Sequence, residues 1–145
     1  MTRKAITITG GDELRAALTN MSEEVEQAVM TTLKKTGITL RGDIVKRYQR
    51  GPASGRIYTR GGVVHQASAS GEAPMSDTGR LANATLFEAD PSTLSVSVVN
   101  RSLYAPMLEF GTRNIAPRPA WTPAAEEIAP KFRNDLANAI NGATK

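Results

Sequence analysis

The sequence predicts an α+β domain: an antiparallel sheet of about four strands, packed by one long N-terminal helix and a C-terminal helix, with a protruding β-hairpin arm. Three observations predict it. A stripe of apolar residues at helical spacing runs from Ser22 to Arg50. Runs that alternate apolar and polar residues occupy 4–10 and 93–99. Between them, residues 51–79 are rich in Gly, Ser, Pro and Ala and hold two short β-prone pieces around paired glycines. A chain of 145 residues fits one domain, 1–145, with one modest core.

In "KAITITG" (4–10), Ile6 and Ile8 alternate with Thr7 and Thr9, the period of a half-buried strand. Gly10-Gly11 ends it, Asp12 is placed to cap a short helix, and Leu14 and Leu18 give that helix an apolar side. Asn20 with Glu23 resembles a capping box. Val25, Val29, Leu33, Leu40, Ile44 and Tyr48 then follow at spacings of four and seven. The helix they define would reach roughly 40 Å at 1.5 Å per residue. Its interior glycines, Gly37 and Gly42, point to a bend or to close packing. "RGP" (50–52) ends it, because proline cannot continue the ladder.

"RIYT" and "VVHQ" flank Gly61-Gly62, which supplies the positive φ of a tight turn. The register puts Tyr58 opposite His65 and Thr59 opposite Val64. A lone two-stranded ribbon is marginal in water, so this arm needs a surface to lie on. Its assembly-interface candidates are Arg56, Ile57, Tyr58, Arg60, Val63, Val64 and His65. Residues 80–88 and 93–99 read as an antiparallel pair about the turn "ADPS", with Leu94, Val96 and Val98 on the buried face. "YAPMLEFGT" (104–112) and three prolines (117, 119, 123) lead to a last helix. Thr122 is its predicted cap and Pro123 its first residue. Trp121, Ile128, Phe132, Leu136 and Ile140 form the apolar stripe of that helix. Pro130 is expected to kink it or delay its regular part, and "NGATK" reads as frayed.

Charge is polarised along the chain. Residues 31–60 carry eight basic side chains against Asp43, a local +7 within a net +4, which leaves −3 elsewhere. Lys46, Arg47 and Arg50 form the basic patch at the end of the long helix. Such a segment suits an acidic partner or nucleic acid, or is simply a solvated helix face. There are no cysteines, which removes disulfides and thiol catalysis and weakens any zinc reading. No apolar run approaches the ~20 residues of a membrane span, and the basic N-terminus lacks the apolar stretch of a secretory signal.

Little catalytic chemistry is available. His65 is the one histidine, and Glu72 the only nearby acid in sequence. The carboxylates are scattered, and no phosphate-cradling glycine loop or metal-ligand spacing occurs. No catalytic, cofactor-binding or metal-binding residues are assigned, and no cofactor is expected. Tyr104, Glu109, Phe110, Gly111, Thr112 and Trp121 are read as a structural corner. Tyr104, Phe110 and Trp121 pack, Gly111 lets the backbone turn, and Glu109 fixes the corner by a salt bridge or an amide contact.

"DTGRL" (77–81), "YAPMLEFGT" (104–112) and "RPAWTPA" (118–124), in this order before a terminal helix, resemble the neck and tail-completion (head–tail joining, minor tail component) proteins of long-tailed bacteriophages. The likeness covers nearly the whole chain. The arm is similar to that of one large branch of the family. The resemblance implies a non-enzymatic virion part, assembled in the bacterial host cytoplasm. It implies a homo-oligomeric ring of six copies at the neck or tail end, stacked between head-connector and tail-tube or tail-terminator proteins. Non-specific contact with packaged DNA fits this setting, and no membrane partner does. Two rivals stand beside it. One is a nucleic-acid-binding module that uses segment 31–60, although only Tyr48 and Tyr58 supply interleaved aromatics. The other is a hydrolase that uses His65 and Glu109.

Overall fold

The computed structural model describes residues 5–8, 11–18 and 23–144. The order of elements is β1 (Ala5–Ile8), α1 (Gly11–Leu18), α2 (Glu23–Arg50), β2 (Ile57–Arg60), β3 (Val63–Gln66), α3 (Arg80–Asn83), β4 (Thr85–Asp90), β5 (Ser95–Asn100), α4 (Ala105–Phe110) and α5 (Trp121–Ala143). The class is α+β, as expected. The capping residue proposed at Asn20 lies outside the described residues.

Among the described residues the main sheet has three strands, not about four, in the order β1-β5-β4, and all pairings are antiparallel. The expected strand over 80–88 is shorter than its sequence pattern. Gly79 adopts φ +72°, and "RLAN" closes one helical turn before the strand begins at Thr85. Leu81 and Ala82 enter the core from that turn. A buried polar cluster locks it in place. Asn100 Nδ2 donates to Leu81 O (2.9 Å) and Thr85 Oγ1 (2.9 Å), and Thr85 Oγ1 donates to Leu81 O (2.8 Å). Arg41 Nε on α2 donates to Thr85 O at 2.9 Å.

The core lies between α2, the sheet and α5. Val25, Val29, Met30 and Leu33 pack with Leu94 and Val96 at one end, and Phe132, Leu136 and Ile140 of α5 lie against them. Leu40, Ile44 and Tyr48 pack with Leu81, Val98, Trp121 and Ala124 at the other end. The expected stripes on both helices and the Leu94-Val96-Val98 face are therefore the core-forming ones. Gly37 explains how α2 approaches the sheet. A Cβ there would lie 2.3 Å from Val96 Cγ1 and 2.7 Å from Phe87 Cε2. Gly42 has no such role, since nothing lies within 4 Å of its virtual Cβ.

The last helix is continuous through Pro130 and runs to Ala143, so the expected frayed tail is helical almost to its end. Pro130 has no amide to donate. The carbonyl deprived of it is that of Glu126, an exposed residue, where water can replace the bond. Arg47 of α2 pairs with Glu127 of α5 at 2.6 Å and ties the two long helices together.

Candidate assembly surface

Two features bear on assembly: the corner that starts α5, and the hairpin with the surface beneath it. At the corner, residues 105–110 form a short helix. Pro106, which excludes a central strand, is tolerated in its first turn. Glu109 is buried (8% exposed), and its carboxylate accepts three backbone amides. Oε2 takes Ala120 N (2.8 Å) and Trp121 N (3.0 Å), and Oε1 takes Thr122 N (2.7 Å). These are orphan donors at the α5 N-terminus, where negative charge also suits the helix dipole. The expected amide contact is the one that forms. The expected Thr122 cap does not. The helix begins at Trp121, and a carboxylate eleven residues upstream of Ala120 does the capping, with Pro123 inside the first turn.

Trp121 is buried as expected, and its Nε1 donates to Tyr48 Oη at 2.5 Å, joining α5 to the end of α2. Burial pushes the Tyr48 phenol well above its ordinary range, so it stays protonated and remains the acceptor. Gly111 has φ +74°, and a Cβ there would lie 2.7 Å from Ile115 O. Thr112 N donates to that same carbonyl (2.8 Å), closing the turn. Tyr104 and Phe110 correct the expectation of packing. They are 41% and 58% exposed. With Leu103 and Met107 they make an apolar outer face on α4, because Leu103, Met107 and Phe110 recur at helical spacing.

The hairpin pairs in the expected register, Tyr58 with His65 and Thr59 with Val64. Its base is clamped. Gly55 N donates to Ala67 O (2.8 Å), and Ala67 N donates to Arg56 O (2.9 Å). The Glu72 carboxylate accepts Ser54 N (3.1 Å), Ala69 N (2.7 Å) and the Ser54 hydroxyl. The Ser54 hydroxyl, then the two amides, hold the Glu72 carboxyl below its ordinary range.

Asp77 ties one face of the ribbon to the body. Its Oδ2 accepts Arg60 Nη1 at 2.8 Å, and its Oδ1 lies 3.2 Å from His65 Nδ1. The Tyr58 and His65 rings stack at 5.5 Å. His65 thus has the acidic partner that its sequence neighbourhood did not reveal. The arm is seated rather than free-standing, yet the seat is loose. A cleft of about 480 Å³ remains beneath it, walled by Tyr58, Val64, His65, Met75, Tyr104 and Arg118 among others. The apolar arm residues stay open to solvent: Ile57 63%, Val63 57% and Val64 69% exposed.

The other predicted residues fall elsewhere. Glu109 is not on the cleft wall, so the structure does not bring His65 and Glu109 together. The His65–Asp77 pair supplies two members of a hydrolytic triad, but no hydroxyl is hydrogen-bonded to His65 among the described residues. The basic patch is divided. Lys46 lies 3.6 Å from Asp43 and Arg47 is held by Glu127, while Arg50 and Arg56 are exposed. Among the described residues no group of carboxylates and histidines is arranged to hold a metal ion, and no helix is long and apolar enough to cross a membrane.

Sequence reasoning missed Asp77 and noted Glu72 only as an acid near His65, although these two carboxylates hold the arm and its base. Each lies in the glycine-rich stretch beside the ribbon, so the signal available was acids flanking a basic hairpin. No protein-family model, no curated protein and no solved structure matches this chain.

Proposed function

We propose that this protein is a structural assembly part, a ring-forming neck or tail-completion component of a long-tailed phage particle. One observation carries the reading. The domain exposes large apolar side chains in two places, on the arm (Ile57 and Val64 on one face of the ribbon, Val63 on the other) and about α4 (Leu103, Met107, Phe110). Contiguous exposed apolar residues mark interaction surfaces. The motifs 77–81, 104–112 and 118–124 supply the phage setting and the sixfold ring, and the corner built on Glu109 and Gly111 gives two of those motifs a structural purpose.

Sizing of the purified protein, alone and with head-connector and tail-tube proteins of a long-tailed phage, tests the reading. Rings are the expected result. A protein that stays monomeric with every such partner overturns it. Two other outcomes would redirect it. Tight DNA binding at about 0.15 M salt, with a log–log salt slope near −0.9 per phosphate neutralised, favours the nucleic-acid module. Ester or phosphodiester turnover that His65→Ala abolishes favours a hydrolase built on the His65–Asp77 pair.

A further inference from the structure

We infer that the hairpin arm is exchanged between copies: Asp77, which seats the arm within one chain, receives the Arg60 and His65 of the neighbouring copy in the assembled ring. This rests on the ring reading proposed above and names the contact that builds it. Three observations lead to it. The first is how little holds the arm at home. Its tip is fixed by Arg60 and His65 on one carboxylate, with the Arg60 side chain 66% exposed. The Arg60–Asp77 pair, open to solvent on its Arg60 side, contributes little to stability, and the His65–Asp77 contact is more sheltered, with side chains 27% and 23% exposed. The cleft beneath the ribbon is left open, and Ile57, Val63 and Val64 remain exposed although the arm is seated.

The second is where the rigid part ends. Glu72 clamps Ser54 and Ala69 together, and the bonds from Gly71 N to Pro117 O (3.0 Å) and from Arg118 Nη1 to Ser68 Oγ (3.2 Å) keep this base on its own body, while the ribbon beyond it spans only residues 57–66. Releasing Asp77 breaks the polar contacts of Arg60 and His65 with the body and leaves the Glu72 clamp in place. The third is complementarity. A second copy offers the same carboxylate, the same cleft wall and the same Tyr104 and Met75 beside it, so a neighbour's arm finds every contact it leaves. Exchange of an identical element is a low-cost route to association, and a head-to-tail exchange closes into a ring when its rotation permits. Once copies are held side by side, the exchange is effectively intramolecular and the weak home contacts are outcompeted.

Charge reversal separates exchange from self-seating. Arg60→Asp places two carboxylates together at the seat, and Asp77→Arg places two guanidinium groups together. Each variant alone should lose ring association by at least about tenfold, since like charges at a contact oppose it. Mixed in equal amounts they should recover it. In an alternating ring, the carboxylate on the arm of each Arg60→Asp chain meets the guanidinium at the seat of an Asp77→Arg chain. The unaltered Arg60 of that second chain meets the unaltered Asp77 of the next. If the arm seats only at home, each chain keeps its own clash and mixing recovers nothing.

The absence of native cysteines allows a second measurement that does not depend on ring yield. Arg60→Cys and Asp77→Cys chains, mixed and treated with a short bis-maleimide, should give a heterodimer band, with thermal melts confirming both are folded. Rings that form while the cross-link appears only within a chain carrying both cysteines would overturn the exchange and leave the ring reading standing. Failure of the parent protein to form any ring overturns both.

Discussion

Replacing Glu109 by alanine would strip three amides of their shared acceptor while leaving their surroundings unchanged. Two of those amides, on Ala120 and Trp121, are buried, so water cannot take over the bonds freely. Loss of a helix cap and exposure of unpaired buried donors together should cost about 2–3 kcal/mol, read as a lower Tm. Glu109→Gln keeps one acceptor oxygen and should cost less. A Glu109→Ala protein that melts like the parent would show that the corner is held by packing alone. This residue was only half legible in the sequence. An acid between Leu108 and Phe110 signalled a local fixing role, but its partners lie eleven to thirteen residues away, across a proline-rich turn. Gly111 was fully legible, because Phe-Gly-Thr before a proline turn leaves few reasons for glycine other than a positive φ. Tyr104 and Phe110 misled, since an aromatic on a short amphipathic helix looks the same whether it faces a core or a partner.

At the scale of elements, two glycines in one helix make opposite predictions. Alanine normally stabilises a helix interior by up to about 1 kcal/mol over glycine. Gly42→Ala should show that gain, because its new Cβ meets nothing. Gly37→Ala should instead destabilise by about 1–3 kcal/mol, because Val96 and Phe87 must shift to admit it. Denaturant melts of the pair read the sign directly, and a gain at both positions would mean that α2 and the sheet part easily. The sequence showed both glycines as possible packing points but could not rank them, since their ranking depends on which side of the helix meets β5. The arm base carries a pH prediction. The Glu72 carboxyl is held below its ordinary value of 4.5 by the Ser54 hydroxyl and two amides. A depressed value stabilises the clamp above the unfolded range and loses that contribution as pH falls through the folded one. Hydrogen exchange at Ser54 and Ala69 should therefore quicken below about pH 4.5 relative to neighbouring amides, and Glu72→Gln should show the quick rate already at neutral pH. Unchanged protection in acid would place the hold on the base elsewhere.

For the whole molecule, the composition and spacing made the α+β class and the two core helices legible, because core stripes repeat along one helix face. The packing of segments distant in sequence was not legible, and the seat at Asp77 belongs to that kind. Replacing residues 56–66 by a short Gly/Ser linker removes a ribbon whose Ile57, Val63 and Val64 are exposed and whose polar hold on the body is Asp77, through its pairs with Arg60 and His65. The isolated domain should therefore keep its Tm within the effect of about 1 kcal/mol that such pairs contribute. The same change should abolish ring formation, because it deletes the apolar arm surface proposed to join one copy to the next. Hydrogen exchange on the monomer gives the matching profile: rapid exchange across 57–66, where a ribbon of two strands opens easily, and slow exchange across 95–100, where β5 is paired on both sides. If the linker variant melts far below the parent, the ribbon belongs to the fold of the single domain. Its seat on Asp77 would then be a folding contact and not a surface reserved for a neighbour.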